Sequence, residues 1–528
     1  MRRHFSTLLA TVMVGLCLGA AADAKTFRWA RGQDAPTLDP HTENSNQVFG
    51  LLHQFYEPLV QRDETGQLVP CLALSWELKP SDPTVWIFKL RPNVTFHNGD
   101  KFTADDAVFS LKRAMDPLAG LRTTLAGVTD VTKVDDLTIE VKTAAPMPLL
   151  VNQITNVFMM DKKWAEANNV ARPQDFKNKE ETFAVRNENG TGPYIVTSRE
   201  PDSRTVMKLN DAYWGKGQFP LQATDVVYSV IASGPTRVAA LLSGEVDFVQ
   251  DMPVQDIDRV AQTPGLKVNT GAEVRSIFFG LNGGSPELPS SDVKGKNPLA
   301  DKRVRQAIEI AINREAIQKV VMGGQSAPSG TLIPPGVNGY SKALDAYPKW
   351  DIAKAKALMA EAGYPNGFTV KMNCPNNRYI NDEKICQATV GFLGQIGIKA
   401  TLDARPMAQH TPTILKDETD FYMLGWGVAS FDAAYTLDSI YHSRDKVYGA
   451  YNATRVVNPE LDKKIEALAT EVDTAKRNAL LAEVLAQVKD EAYFIPIHNQ
   501  LLAWGMKKNI DVKVQPENQL FVKYVKID

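Results

Sequence analysis

The residue types that do covalent chemistry are present in this 528-residue chain, but not in reacting arrangements. There is no HExxH, no Walker loop, no GxSxG elbow and no CxxC. Gly190-Thr191-Gly192 and Gly425-Trp426-Gly427 are too short to cradle a phosphate. The seven histidines, His4, His41, His53, His97, His410, His442 and His498, never stand at i, i+4 or another ligand spacing, so most read as ordinary hydrogen-bonding residues. With 61 carboxylates some acid pairs are unavoidable, so a hydrolase acting on peptides or sugars stays open. Two segments instead concentrate groups suited to binding: Cys374-Pro-Asn-Asn-Arg-Tyr379 and Gly425-Trp-Gly-Val-Ala-Ser-Phe-Asp432. In the first, the Arg378 guanidinium could pair both oxygens of a carboxylate at once, or serve as a plain surface charge in an ion pair. Around the second, Trp426, Phe431 and Tyr435, with Tyr379, could form an apolar wall, although aromatics are more often core.

These segments must be held by elements that the pattern partly reveals. The stretch Leu68 to Met115 reads as a Pro-bounded helix start, a strand from Thr84 to Leu90, a turn at Asn98-Gly99-Asp100 and a helix capped by Thr103 and Asp106. Strands are expected at 194–197, 205–209, 225–230 and 246–249, with a helix over 236–242 stopped by Gly244. Apolar residues at helical spacing mark Val304 to Ile312, followed by a second start at Asn313. Further helices are expected over 351–362, 382–395, from the Asn458 cap with Pro459, and over 473–488. The segment 285–297 reads as a surface loop, and the tail from Tyr493 to Ile527 as strand-like.

Export is expected from the first residues. Arg2 and Arg3 precede an apolar run from Phe5 to Ala20, and Ala22-Asp23-Ala24 offers a small-x-small cleavage site, so residues 1–24 read as a signal peptide. Leu16 is too bulky for lipid-anchor processing at Cys17, which leaves a freely diffusing periplasmic protein starting near Lys25. No later segment approaches the ~18 consecutive apolar residues of a membrane span. Loss of Arg2, Arg3 and Asp23 from 59 basic and 61 acidic residues leaves a net charge of −3, with both signs scattered, and nothing suggests nucleic acid or an anionic membrane as partner. In an oxidising compartment Cys374 and Cys386, twelve positions apart, are expected to pair around Arg378, with two unpaired buried thiols as the other reading. Cys71 is then a buried or free thiol.

The wording LALSWE, TVWIFKLRPNVTFHNG and FTADDAVFSLKR, together with NPLADKRVRQAIEIAINREAI, resembles the family-5 extracellular solute-binding proteins of peptide-type ABC importers, over essentially the whole mature chain. The resemblance implies an α/β, two-lobe periplasmic-binding-protein (Venus flytrap) fold of the large peptide-binding type. The first lobe would comprise residues 25–55, 190–277 and 496–528, with an extra subdomain at 56–189, and the second lobe residues 278–495. The chain would leave one lobe near RSIFFGLN and re-enter it near 495, giving a hinge of two crossings.

The implied function is capture of a peptide or peptide-like carboxylate and its delivery, unchanged, to an inner-membrane ABC permease and its ATPase by a monomer without cofactor. Shifting an open–closed equilibrium from 1:99 to 99:1 takes about 5.5 kcal/mol of differential contact, more than the ~1.5–3 kcal/mol of one charged hydrogen bond, so both lobes must contribute. In similar dipeptide binders an Arg at the place of Arg378 takes the ligand carboxylate, and Asn44 and Ser45 fall in a loop that the family points into the cleft. Trp426 is the aromatic expected to line it. The same binders hold the ligand ammonium with an Asp three residues after the Trp, and here that position is Ala429. Asp432 is the nearest carboxylate, with helix capping as its other reading. The ligand could then be a longer or modified peptide, an opine-like conjugate or another small carboxylate. Some relatives carry nickel chelates or haem, and for such cargo His410 or His442 would be the contact.

Overall fold

A computed structural model describes residues 25–528, so the signal peptide expected at 1–24, with Cys17, lies outside the described residues. The protein is built around one mixed sheet of eleven strands that continues from one lobe into the other. In spatial order its main path runs Lys399–Arg405, Thr369–Pro375, Phe421–Gly427, Leu266–Leu281, Phe494–Lys507, Phe248–Val249, Thr26–Arg31, Asp225–Val230, Arg204–Leu209 and Tyr194–Glu200. Two of these, Leu266–Leu281 and Phe494–Lys507, are antiparallel to each other and long enough to belong to both halves. They are the two crossings between lobes.

Their pairing is broken where the lobes meet. Ala272 lies opposite Leu501 and Ser276 opposite Asn499, so Glu273, Val274 and Arg275 face a single residue, Gln500. Such a bulge bends a strand and redirects its side chains. It puts two charged residues at the joint between lobes.

Each lobe has its own apolar interior. One cluster gathers Phe27, Trp29, Leu52, Phe88, Phe158 and Trp504. Another gathers Ile277, Phe279, Ile308, Met372, Ile385 and Phe421, with the helix Lys302–Ala311 burying Val304, Ala307, Ile308 and Ala311 as its spacing requires. A separate antiparallel sheet of four strands covers 73–143.

Most expected elements form close to their expected bounds, including helices at Gly234–Ser243, Asp382–Gly394 and Pro459–Thr470. At the helix Ala104–Ala114 the Thr103 N–H donates to Asp106 Oδ2 at 2.8 Å, as the cap pattern requires. The helix start expected after Leu68 is instead two strands, Leu68–Pro70 and Ala73–Lys79. Trp76 pairs with Phe88 and Leu78 with Trp86, so cross-strand aromatic packing decides the conformation there. The tail is also less regular than expected: beyond Lys507 only Ile510–Asp511 and Lys526–Ile527 are extended, and Pro516 and Glu517 occupy a turn.

Candidate functional site

Two cavities lie against the bulge. One, of about 850 Å³, is lined by Arg31, Arg237, Asp251, Gln325 and Arg378. The second, of about 490 Å³, is lined by Thr124, Asn152, Ala429, Tyr435 and Glu517 among others. Both include Ser45, Asn46, Glu273 and Arg275, so together they form one cleft walled by both lobes. Each is of a size that suits a small ligand, for which pockets of roughly 300–1,000 Å³ are usual.

Arg378 reaches the larger cavity from a loop that is held at several points. The Asp382 carboxylate accepts from the N–H groups of Arg378 and Tyr379, at 2.9 and 3.0 Å. Asn377 Oδ1 accepts from Met407 N–H at 2.9 Å. Cys374 and Cys386 bring their sulfur atoms within bonding distance, with Cα atoms 6.6 Å apart, while Cys71 is buried and unpaired. The guanidinium itself is exposed, and among the described residues no carbonyl or carboxylate accepts from it. The other cleft arginines are engaged: Arg31 with Asp251 at 3.4 Å, Arg237 with the carbonyls of Ile231 and Ala232 at 2.7 and 2.9 Å, and Arg275 with Glu273 at 2.9 Å. Arg378 is therefore the cleft cation with its bonding capacity left open.

The aromatic residues are placed differently from expectation. Tyr379 belongs to the second-lobe core, and its hydroxyl donates to the Gly425 carbonyl at 3.1 Å. It braces the strand behind the cleft. A Cβ at Gly425 would lie 2.6 Å from the Tyr379 ring, which is why that position carries no side chain. Trp426 is half-buried and stacks on Tyr435 with ring centroids 5.3 Å apart, so Tyr435 forms the cleft surface and Trp426 supports it. Phe431 is buried under Arg62, whose guanidinium sits 3.8 Å from the ring centroid. It seals the contact between lobes outside the main cleft.

Asp432 is not available to a ligand. It is 2 % exposed, and its two oxygens accept from Arg477 Nη1 and Nη2 at 2.7 and 2.8 Å. Oδ1 also caps the helix Ala433–Thr436 by accepting from Ala434 N–H at 2.9 Å. A carboxylate already satisfied by a bidentate guanidinium and a helix terminus has nothing left for an ammonium. The capping reading is the correct one.

In the first lobe Ser45 caps the helix Asn46–Leu52 and lines both cavities, while Asn44 is exposed at the smaller one. His410 is fully buried and bonded to the Met423 carbonyl at 2.8 Å, and burial holds its pKa below the ordinary imidazole value. His442 is buried against Tyr448 and contacts Glu466 at 3.2 Å. Neither lines the two cavities, so neither is a contact for metal or haem cargo there.

Three polar residues at this site escaped the sequence reading, Glu273, Arg275 and Glu517, as did Arg62 beside it. Glu273 accepts from both Arg275 and Gln500 Nε2, the latter at 2.7 Å. Arg62 crosses between lobes, with Nη2 donating to the Ser430 carbonyl at 3.0 Å and Nη1 to Gly66 O at 3.0 Å. Burial lowers its pKa to about 10. Asn152 Nδ2 donates to the same Ser430 carbonyl at 2.9 Å. The Arg that opens the crossing RSIFFGLN, with Glu273 two residues before it, was the available signal, whereas nothing in the sequence joins Arg62 to Ser430 across 368 positions.

A family model described as bacterial extracellular solute-binding proteins, family 5, matches residues 67–448. The chain belongs to that family. This solute-binding protein is 26 % identical over 514 residues to the glutathione-binding protein GsiB of Pectobacterium atrosepticum, covering 96 % of this chain and 94 % of the relative. Among solved structures it is similar to AgaA from A. tumefacien R10 in complex with agropinic acid, at 24 % identity and a TM-score of 0.71, covering 95 % and 99 % of the two chains. It is also similar to DppA from Helicobacter pylori in complex with the peptide STSA, at 22 % identity and a TM-score of 0.70, covering 96 % and 98 %. The fold is thus the two-lobe α/β fold of periplasmic binding proteins, and the protein is a bacterial extracellular solute-binding protein. No helix among the described residues is long and apolar enough to cross a membrane.

Proposed function

We propose that this solute-binding protein captures a small peptide or peptide-like carboxylate by closing its lobes, and hands it intact to an inner-membrane ABC permease and its ATPase. It works as a monomeric carrier in the periplasm, without catalysis or cofactor, after removal of residues 1–24. Residues 25–55, 190–277 and 496–528 form the first lobe, 56–189 its extra subdomain and 278–495 the second lobe. The bridge between Cys374 and Cys386, formed on export, stiffens the loop that presents Arg378.

The observation that carries this reading is the unpaired Arg378 guanidinium on the wall of a cleft lined from both lobes. An exposed guanidinium with no partner in the chain is free to make two charge-assisted bonds to a ligand carboxylate, and closing the lobes over the pair strengthens them. Glutathione and agropinic acid, named for two of the relatives, are themselves carboxylates, in agreement with such an anchor. The readings with nickel-chelate or haem cargo lose their candidate contacts, since His410 and His442 stand away from both cavities.

Denaturing mass spectrometry of the solute carried through purification tests the proposal. It should release an intact, carboxylate-bearing small molecule; a neutral or purely cationic cargo, or cleavage of added peptides by the pure protein, would contradict it.

A further inference from the structure

We propose that Glu517 accepts the positively charged amino group of the solute, so that the cleft takes an extended zwitterion with its carboxylate at Arg378 and its amine at the far end. This rests on the carrier reading above and adds the second recognition point.

Three acids line the cleft: Asp251, Glu273 and Glu517. Asp251 receives Arg31 at 3.4 Å on one oxygen and Asn518 Nδ2 at 2.5 Å on the other. Glu273 receives Arg275 and Gln500, one on each oxygen. Glu517 differs. Its Oε2 accepts from Gln515 Nε2 at 3.0 Å, and its Oε1 has no donor among the described residues. The nearest cation, Arg62, stands 3.9 Å from Oε2 through its Nε, too far for a hydrogen bond, while its Nη1 and Nη2 donate to Gly66 and Ser430. Burial raises the pKa of Glu517, and Arg62 and Gln515 oppose that only in part.

The backbone that carries this carboxylate is held in place before any solute arrives. Gln515 Oε1 accepts from the Glu517 N–H at 2.7 Å, and Asn46 Nδ2 donates to the Glu517 carbonyl at 2.7 Å. A side chain carried on a backbone fixed this way binds at a smaller ordering cost. Its position also fits: Arg62 links it to the Ser430 carbonyl, so Glu517 faces the Ala429-Ser430 segment from the opposite lobe. The acid that this segment lacks at Ala429 is thus present across the cleft.

Arg378 lines one cavity and Glu517 the other, and the two cavities share the Glu273–Arg275 pair. A solute that reaches both ends must pass over this pair, whose charges cancel, and an uncharged peptide backbone suits that midpoint. A molecule with a carboxylate at each end leaves Glu517 facing a like charge.

The test uses purified full-length mature protein freed of cargo, with a tripeptide library offered in free and N-acetylated forms and affinities read by competition. Removing the ammonium should cost about 10- to 100-fold, the span expected of one charge-assisted bond. E517Q should bring the ratio of free to acetylated affinity close to one, and Glu517→Asp should restore part of it. Equal binding of both forms by the wild type overturns the inference and needs no variant to fold. A ratio unchanged in E517Q overturns it as well, since a merely structural role weakens both forms alike. Binding of neither form contradicts the peptide reading itself, which separates the two failures.

Discussion

Replacing Arg378 by Ala separates binding from stability with unusual clarity, because the side chain is exposed and makes no hydrogen bond or ion pair within the described chain. A surface substitution of that kind changes unfolding free energy by at most about 0.5 kcal/mol. The bonds it would make to a carboxylate are charge-assisted, worth about 1.5–3 kcal/mol, which is roughly a 10- to 150-fold loss of affinity. Arg378→Lys keeps the charge but loses the planar fork, so it should fall between wild type and Ala. Calorimetry with a bound tripeptide and its C-terminal amide gives the second dimension. Amidation should cost the wild type a comparable factor and the Ala variant almost nothing. Unchanged affinity of Arg378→Ala, or equal sensitivity of both proteins to amidation, would refute the assignment of Arg378 as anchor.

Asp432→Ala should behave in the opposite way: it leaves the Arg477 guanidinium, itself 5 % exposed, without its counter-charge, at a cost of about 3–5 kcal/mol in denaturant unfolding, while the affinity of the folded protein for peptide stays within twofold. Acid should weaken the fold through its buried imidazoles. Burial lowers the pKa of His41 and His53 to about 3 and that of His498 to about 4, so the unfolded chain takes up protons near pH 6.5 that the folded protein refuses. Each such group therefore subtracts about 2 kcal/mol of stability between pH 7 and pH 5. His498→Gln, at a position where neither ring nitrogen has a partner, should show a pH 7 to pH 5 loss smaller than wild type by that amount; identical pH dependence would contradict the assignment.

The sequence made local features legible and left distant pairings hidden. Thr103 with Asp106, Asn458 with Pro459, and Gly244 announce helix ends because the groups that satisfy free amides and carbonyls lie within a few residues of them. From Leu68 to Lys79 the apolar residues fit a helix start as well as a strand, and only the pairing of Trp76 with Phe88 settles which. Asp432 stands beside the cleft motif in sequence, but Arg477, 45 positions on, claims both its oxygens. Glu517 is the converse case. Its place in the cleft depends on Asn46 and Arg62, which lie at the other end of the chain. The hinge bulge likewise follows from the register of Leu266–Leu281 against Phe494–Lys507, which no window of one strand contains.

The protein works as a two-lobed clamp only if the solute drives its closure. Small-angle X-ray scattering of cargo-free protein, recorded with and without a saturating tightly bound peptide, tests it most directly. The loaded protein should show a smaller radius of gyration and a more compact profile, reversed when the peptide is removed. Superimposable profiles in the two states, with binding confirmed on the same samples, would contradict it.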